Sequence, residues 1–320
     1  MKILVTGGAG FLGSHICEKY VNEGHTVICV DNLINGDLGN VRALLHKPNF
    51  KFLHADIRDK AMLEKAIPGC DAIFHLAAQI HVDRSVVEPN YTFETNVIGT
   101  LNILELARLH DVKKTIFASS SEVYGSAQTN PMKESHPLDA PHPYGASKVG
   151  ADRLCFSYHQ TYGMPVYITR CFNMYGPKQK DSSYGGVISI FTRKVMNNMP
   201  PIIYGTGEQT RDYLYVKDAV KAYDLVLNSK KNIAGIPINF GTGKDHKIID
   251  IANMIIKKLG KNLKPVHVAG RPGEVEHLIA DMTRAKELLG FTPDYDFEKG
   301  MTEFLNWYTS YRSEEWTKIR

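Results

Sequence analysis

The 320-residue chain carries 38 Lys+Arg against 34 Asp+Glu, a net charge of +4 with no basic run, which argues against a nucleic-acid binder. No apolar stretch reaches the ~20 residues that cross a bilayer, so a soluble, cytoplasmic protein is expected. The five cysteines (Cys17, Cys29, Cys70, Cys155 and Cys171) sit in apolar segments without Cys-x-x-Cys spacing and read as reduced core residues, while the 13 histidines show no ligand spacing, so no metal is expected.

The chain opens with an apolar strand, Lys2–Thr6, that runs directly into Gly7-x-x-Gly10-x-x-Gly13 and a helix-forming stretch. In a dinucleotide-binding turn each glycine contributes separately. Gly7 turns the chain, Gly10 lets backbone amides approach a pyrophosphate, and Gly13 brings the helix against the strand. The positive end of that helix faces the phosphates. The next strand, Thr26–Asp31, ends in an acid 18 residues after Gly13. Asp31 there accepts from ribose hydroxyls and repels a 2′-phosphate, so NAD is expected rather than NADP. No Arg follows until Arg42.

Further β-branched runs at Phe50–Ala55, Ala72–Leu76, Thr115–Ser119 and Val166–Arg170 read as buried parallel strands alternating with helices. The fold class is α/β: a doubly wound parallel sheet, or Rossmann fold, with a smaller C-terminal substrate-binding subdomain. The expected division is 1–176 for the NAD-binding domain, with 214–245 returning to it, and 177–213 plus 246–320 for the subdomain. Helices are expected at Val187–Asn197, Val216–Leu227, Ile248–Leu259, Thr283–Leu289 and Glu298–Tyr308, and Ile238–Phe240 as another sheet strand.

Tyr144 and Lys148 open a helical run that extends to about Tyr162, and their spacing places both on one face, about 6 Å apart along the axis. A lysine ammonium beside a phenol favours the phenolate and the positive charge of a bound nicotinamide adds to the effect, so the pair is expected to supply a base near neutral pH. The run Ile116–Gly125 brings Ser119, Ser120 and Ser121 to the carboxyl end of a parallel strand, where a serine hydroxyl can bond the oxygen that Tyr144 deprotonates. Spacing alone does not choose among the three.

With Thr6–Gly13, Asp56-Ile57, His75–Gln79, Asn96, Ser119–Gly125, Tyr144/Lys148, Arg170–Pro177, Arg211-Asp-Tyr213 with Asp218, and Arg271–Glu274, the chain resembles the extended short-chain dehydrogenase/reductases that modify nucleotide sugars, of the UDP-glucose 4-epimerase type. The resemblance makes Ser120 the catalytic hydroxyl beside Tyr144 and Lys148. It implies a cofactor cradle of Gly7, Gly10, Phe11, Leu12, Gly13, Asp31 and Asn32, with Asp56 and Ile57 at the adenine. Leu76, Ala77, Ala78 and Gln79 would line the pyrophosphate and nicotinamide ribose, which Lys148 would also bond, and Asn96 would support the helix and cofactor loop. For the nucleotide sugar it implies Asn173, Arg211 and Arg271 around the diphosphate, Glu274 at the ribose, Tyr204 on the base, and Ser121, Glu122 and Val187 nearby. Glu122 is read either as a sugar-proximal acid or as a buried structural acid.

The activity implied is an NAD-dependent 4-epimerisation of UDP-glucose and UDP-galactose. N-acetylated forms would be accepted if Leu278, three residues before Asp281, leaves room beside the sugar's C2. Alternatives are a UDP-glucuronate epimerase or decarboxylase, a dTDP-glucose 4,6-dehydratase, and more remotely a non-catalytic NAD-binding sensor. Dehydratases of this kind usually carry Thr-Asp-Glu where this chain has Ser120-Ser121-Glu122, and the decarboxylases commonly carry Arg at the position of Thr283. The resemblance also implies a homodimer through a four-helix bundle of Tyr91–Leu109 and Tyr144–Tyr162.

Overall fold

Six of the apolar runs form strands β1 (Lys2–Thr6), β2 (Thr26–Asp31), β3 (Phe50–His54), β4 (Ala72–His75), β5 (Lys114–Ala118) and β6 (Val166–Cys171). A seventh, Pro237–Phe240, returns from the second half of the chain and lies parallel to β6, with Asn239 opposite Arg170. The sheet order is Pro237–Phe240, β6, β5, β4, β1, β2, β3, and every pairing is parallel. The computed structural model describes residues 1–182, 185–270 and 275–318.

Successive residues of each strand serve opposite faces. Ile3 and Val5 join a core with Ile16 and Tyr20 of the first helix, α1 (Phe11–Asn22), and with Ala222 and Val226 of the helix Val216–Asn228. Leu4 joins a second core with Ile103 and Leu106 of the helix Gly99–Leu109 and Ala151 and Cys155 of the helix Pro143–Tyr162. Burial on both faces explains why these strands read as continuous apolar runs. All five cysteines are free and buried.

The stretch Tyr91–Leu109, expected as one helix, is in three parts: Pro89–Phe93, a wide π turn at Glu94–Ile98, and Gly99–Leu109. The wide turn carries Asn96, whose Nδ2 reaches Gln79 O at 2.9 Å and Ser147 Oγ at 2.8 Å. A π turn of this kind is a common device for re-aiming a side chain. The final helix runs Phe297–Lys318, longer than expected at its C-terminal end. Smaller sheets complete the second half: Asp245–Lys247, Thr210–Tyr215, His277-Leu278 and Asn173–Tyr175 form one, and Ile202–Tyr204 with Val266–Val268 the other. Among the described residues no helix is long and apolar enough to cross a membrane.

The turn from β1 into α1 leaves no space for a side chain. Gly7 lies at φ +68°, and a Cβ on Gly13 would meet the Gly7 carbonyl oxygen at 2.1 Å. Any side chain at residue 13 therefore pushes α1 off the sheet. Gly13→Ala should cost about 1–3 kcal/mol of stability, the usual penalty of overpacking, and weaken NAD binding at least about tenfold as the phosphate-facing amides move. Urea unfolding and calorimetry check both, and unchanged values for the alanine variant contradict the packing argument.

Candidate active site

Strand order reverses between β1 and β4: the chain lays β2 and β3 on one side, then crosses to β4 and beyond. Loops leaving those two strands therefore diverge and leave a crevice at the carboxyl ends. A cleft of about 1110 Å³ opens there, lined by Gly7, Gly10, Phe11, Leu12, Gly13, Asp31 and Asn32 at one end and by Ser120, Glu122, Tyr144, Lys148 and Asn173 at the other. Leu76, Ala77, Ala78 and Ile57 lie between them.

The dinucleotide end fits its ligand. Gly10 is the N-cap of α1 and gives its first turn no side-chain cap, which leaves those amides for phosphate oxygens. Asp31 accepts from Ala9 N at 3.0 Å and Leu33 N at 2.8 Å, which fixes its carboxylate at the cleft wall. Burial pushes that carboxyl above its ordinary range, while the two amides pull it back.

Two residues expected to hold the cofactor are engaged by the protein instead. Asp56 is absent from the cleft lining; its carboxylate receives Arg58 Nε and Nη2, each at 3.0 Å, and Asn32 Nδ2 at 2.8 Å. Gln79 turns inward, where Nε2 donates to His81 O and Thr92 Oγ1, each at 3.0 Å, and its amide N–H donates to Asn96 Oδ1 at 2.7 Å. Gln79 thus stiffens the loop after β4, with Asn96 joining that loop to the Tyr144 helix.

At the other end His142 caps the helix Pro143–Tyr162. Its Nδ1 accepts from Gly145 N at 3.0 Å, leaving Nε2 to donate to Glu122 Oε2 at 3.3 Å. The imidazole also stacks on the Tyr144 ring, 6.0 Å between centroids at 12°. The three serines separate. Ser119 Oγ is committed to Asp152 Oδ2 at 2.7 Å, and Ser121 is buried. Ser120 Oγ accepts from Glu122 N at 3.2 Å, and of the three serines it is the one whose hydroxyl opposes the effect of burial on the Tyr144 phenol.

In the cofactor-free protein burial dominates both Tyr144 and Lys148. Burial pushes the Tyr144 phenol up to about 12, and the group that opposes this is Ser120. Burial brings Lys148 down to about 8. Its ammonium donates to Ala118 O and sits 4.7 Å from the Phe117 ring centroid. In a dry site the cost of forming a phenolate exceeds what this lysine returns, so the protein alone keeps Tyr144 protonated.

On the subdomain side, Asn173 lines the cleft but Val187, Tyr204 and Arg211 do not. Val187 begins a helix whose other side chains, Ile188 and Phe191, fill the core. Tyr204 ends the small strand beside Val266–Val268, and Arg211 Nη1 donates to Thr210 O at 2.9 Å. Arg271 and Glu274 lie outside the described residues. Leu278 is fully buried against Val123, Tyr124 and Phe172 and does not line the cleft, so it gives no room beside the sugar's C2. Unforeseen lining comes from Asn35, His81, Gln179 and Trp307. Of these, only the Gly/Asn-rich stretch after Asp31 left a signal in the sequence, as a loop flanking a strand end.

The family described as GDP-mannose 4,6 dehydratase matches residues 4–304. A protein of Methanocaldococcus jannaschii, provisionally named UDP-glucose 4-epimerase, is 40% identical over 307 residues, 95% of this chain and 97% of that protein. The UDP-glucose 4-epimerase of Thermotoga maritima, solved with UDP-glucose, superposes at TM-score 0.91 with 35% identity over 97% of this chain and 99% of that one. The dTDP-glucose 4,6-dehydratase of Streptomyces venezuelae, solved with NAD, superposes at 0.92 with 34% identity over 98% of each chain. The chain belongs to this family of NAD-dependent nucleotide-sugar epimerases and dehydratases, within the extended short-chain dehydrogenase/reductases.

The buried phenol yields a measurement. Adding NAD+ brings a positive charge into the dry site, so the Tyr144 titration should fall from about 12 in the cofactor-free protein by at least ~1 unit. The phenolate fraction then grows as pH rises through that lower value. Ultraviolet difference titration of wild type against Tyr144→Phe, with and without NAD+, reads it directly; a Tyr144 midpoint that NAD+ leaves unmoved contradicts this role for the cofactor's charge.

Proposed function

We propose that the chain is a 4-epimerase that interconverts UDP-glucose and UDP-galactose. The observation that carries this reading is that Ser120, Tyr144 and Lys148 line one cleft together with the dinucleotide-binding glycines. Ser120 donates to the sugar's O4 and orients it, and the Tyr144 oxygen takes the O4 proton and later returns it. NAD, which the glycine turn and Asp31 would hold, would supply the acceptor and donor of the C4 hydride. Lys148, at the cleft wall, would bond the nicotinamide ribose. Asp31 holds the adenosine ribose.

Ser121 favours epimerase over dehydratase. A dehydratase must protonate a departing hydroxyl, and the residue before Glu122 is a buried, uncharged serine rather than the usual aspartate. Thr283 at the start of the helix Thr283–Leu289, where the decarboxylases commonly have Arg, speaks against a uronate substrate. A non-catalytic sensor has no use for the Ser120–Tyr144 pair.

Purified protein given UDP-galactose without added cofactor is expected to form UDP-glucose, and in Tyr144→Phe turnover should drop at least ~10²-fold with NAD still bound. A panel of UDP-, dTDP-, GDP- and CDP-sugars distinguishes the alternatives: a 4-keto-6-deoxy product or released carbon dioxide overturns the epimerase reading.

The protein also acts as a homodimer in this reading. Phe93, Ile98 and Phe156 are 41%, 48% and 36% exposed on the two helices that a four-helix bundle would bury. Ile98→Glu should convert the dimer to monomer in sedimentation velocity; a wild type that sediments as a monomer contradicts this.

A further inference from the structure

Ser120 sits in a short segment, Ser119–Tyr124, that leaves β5 and includes one tight turn at Ser121–Val123. Within it the Ser120 hydroxyl has one local bond, from Glu122 N at 3.2 Å, and the placing of the segment as a whole falls to its two ends. Both of its ends lead to the same side chain. Arg170 on β6 is 1% exposed and grips Asp152 with two parallel bonds, Nε to Oδ2 and Nη2 to Oδ1, each 2.9 Å. Asp152 is fully buried and accepts the Ser119 hydroxyl at 2.7 Å. The same guanidinium donates through Nη1 to the Tyr124 hydroxyl at 3.0 Å and lies 5.0 Å from that ring's centroid. Tyr124 in turn donates to Asn239 Oδ1 at 2.6 Å, on the strand returning from the second half.

We infer that Arg170 is the positioning residue for Ser120, holding the serine segment at one end through Asp152 and Ser119 and at the other through Tyr124. The inference rests on the role proposed above for Ser120. The arrangement needs arginine in particular: its planar fork meets the carboxylate with two donors and keeps a third for the phenol, which a lysine ammonium cannot match in that geometry.

Arg170 also governs charge beside the reacting groups. Asp152 lies one helical turn after Lys148 on the same helix, a spacing at which opposite charges attract. With Arg170 and, from the outer side, Arg153 both bonded to the Asp152 carboxylate, the Lys148 ammonium rests on Ala118 O, at the cleft wall. Arg170 therefore fixes the serine and leaves the lysine available. The pair is fully desolvated, so its contribution is to geometry more than to net stability.

Tyr124→Phe and Ser119→Ala each cut one tether and leave the ion pair intact, while Arg170→Lys cuts both. The single-tether variants should melt as cooperatively as wild type. Their kcat for UDP-galactose should fall at least about tenfold with KM changed less than about twofold, because an ill-placed Ser120 is felt mainly in the transition state. Introduced into Ser120→Ala, the same substitutions should cost nothing further, since the group they position is gone. Full additivity with Ser120→Ala in folded protein overturns the inference. A second readout needs no substrate: the Tyr144 titration should move upward in Tyr124→Phe and Ser119→Ala as it does in Ser120→Ala. A Tyr144 midpoint that stays at the wild-type value in both tether variants overturns it as well. If wild type fails to interconvert UDP-galactose, the proposed reaction fails, and the titration still decides the role of Arg170.

Discussion

The reversal of strand order between β1 and β4 is the constraint from which the rest of this structure follows. Two adjacent parallel strands whose connections leave in opposite directions cannot cover their shared carboxyl edge with backbone, so a crevice forms there without any side chain being needed to make it. The glycine turn after β1 and the Leu76–Ala78 loop after β4 then supply its two walls. Asp31 from β2 and the serine segment from β5 come from the strands flanking that pair, which sets the adenosine and reacting ends of the ligand on either side. Position in the sheet assigns each group its part before its chemistry is considered.

Burial sets the chemistry next. Tyr144 and Lys148 are both held in a low-dielectric floor, and the cost of charge there moves the phenol up and the ammonium down. Each shift favours the neutral form, so the site is quiet until a cation enters it. A site built this way keeps its base protonated when empty. The same dry surroundings strengthen the hydrogen bonds that order the site, such as that from Ser119 to Asp152.

Polar side chains near the cleft divide by what lies closest to them. Asp56, Gln79 and Arg211 carry groups suited to ligand binding, yet each is claimed by a protein partner: Arg58, the His81 and Thr92 groups, and backbone carbonyls. Asp31, Glu122 and Asn173 remain at the cleft surface. Glu122, half-buried, lines the cleft and is tethered to His142.

Features that depend on neighbours along the chain were legible from the residues alone. The strand-to-glycine-to-helix turn, the acid ending β2, the Tyr144–Lys148 helix and the alternation that yields a parallel sheet are all local patterns, and local sterics and periodicity suffice to read them. Even the returning strand at Pro237–Phe240 was visible as an apolar run, though not its place beside β6. Packing between distant segments settled the rest: which of three serines meets Tyr144, the burial that keeps that phenol protonated, the inward turn of Gln79, the enclosure of Leu278 in a core, and the joining of both ends of the serine segment at Arg170. Desolvation and hydrogen-bond competition arise only when chain segments far apart in sequence are packed together, and no pattern within a single segment encodes them.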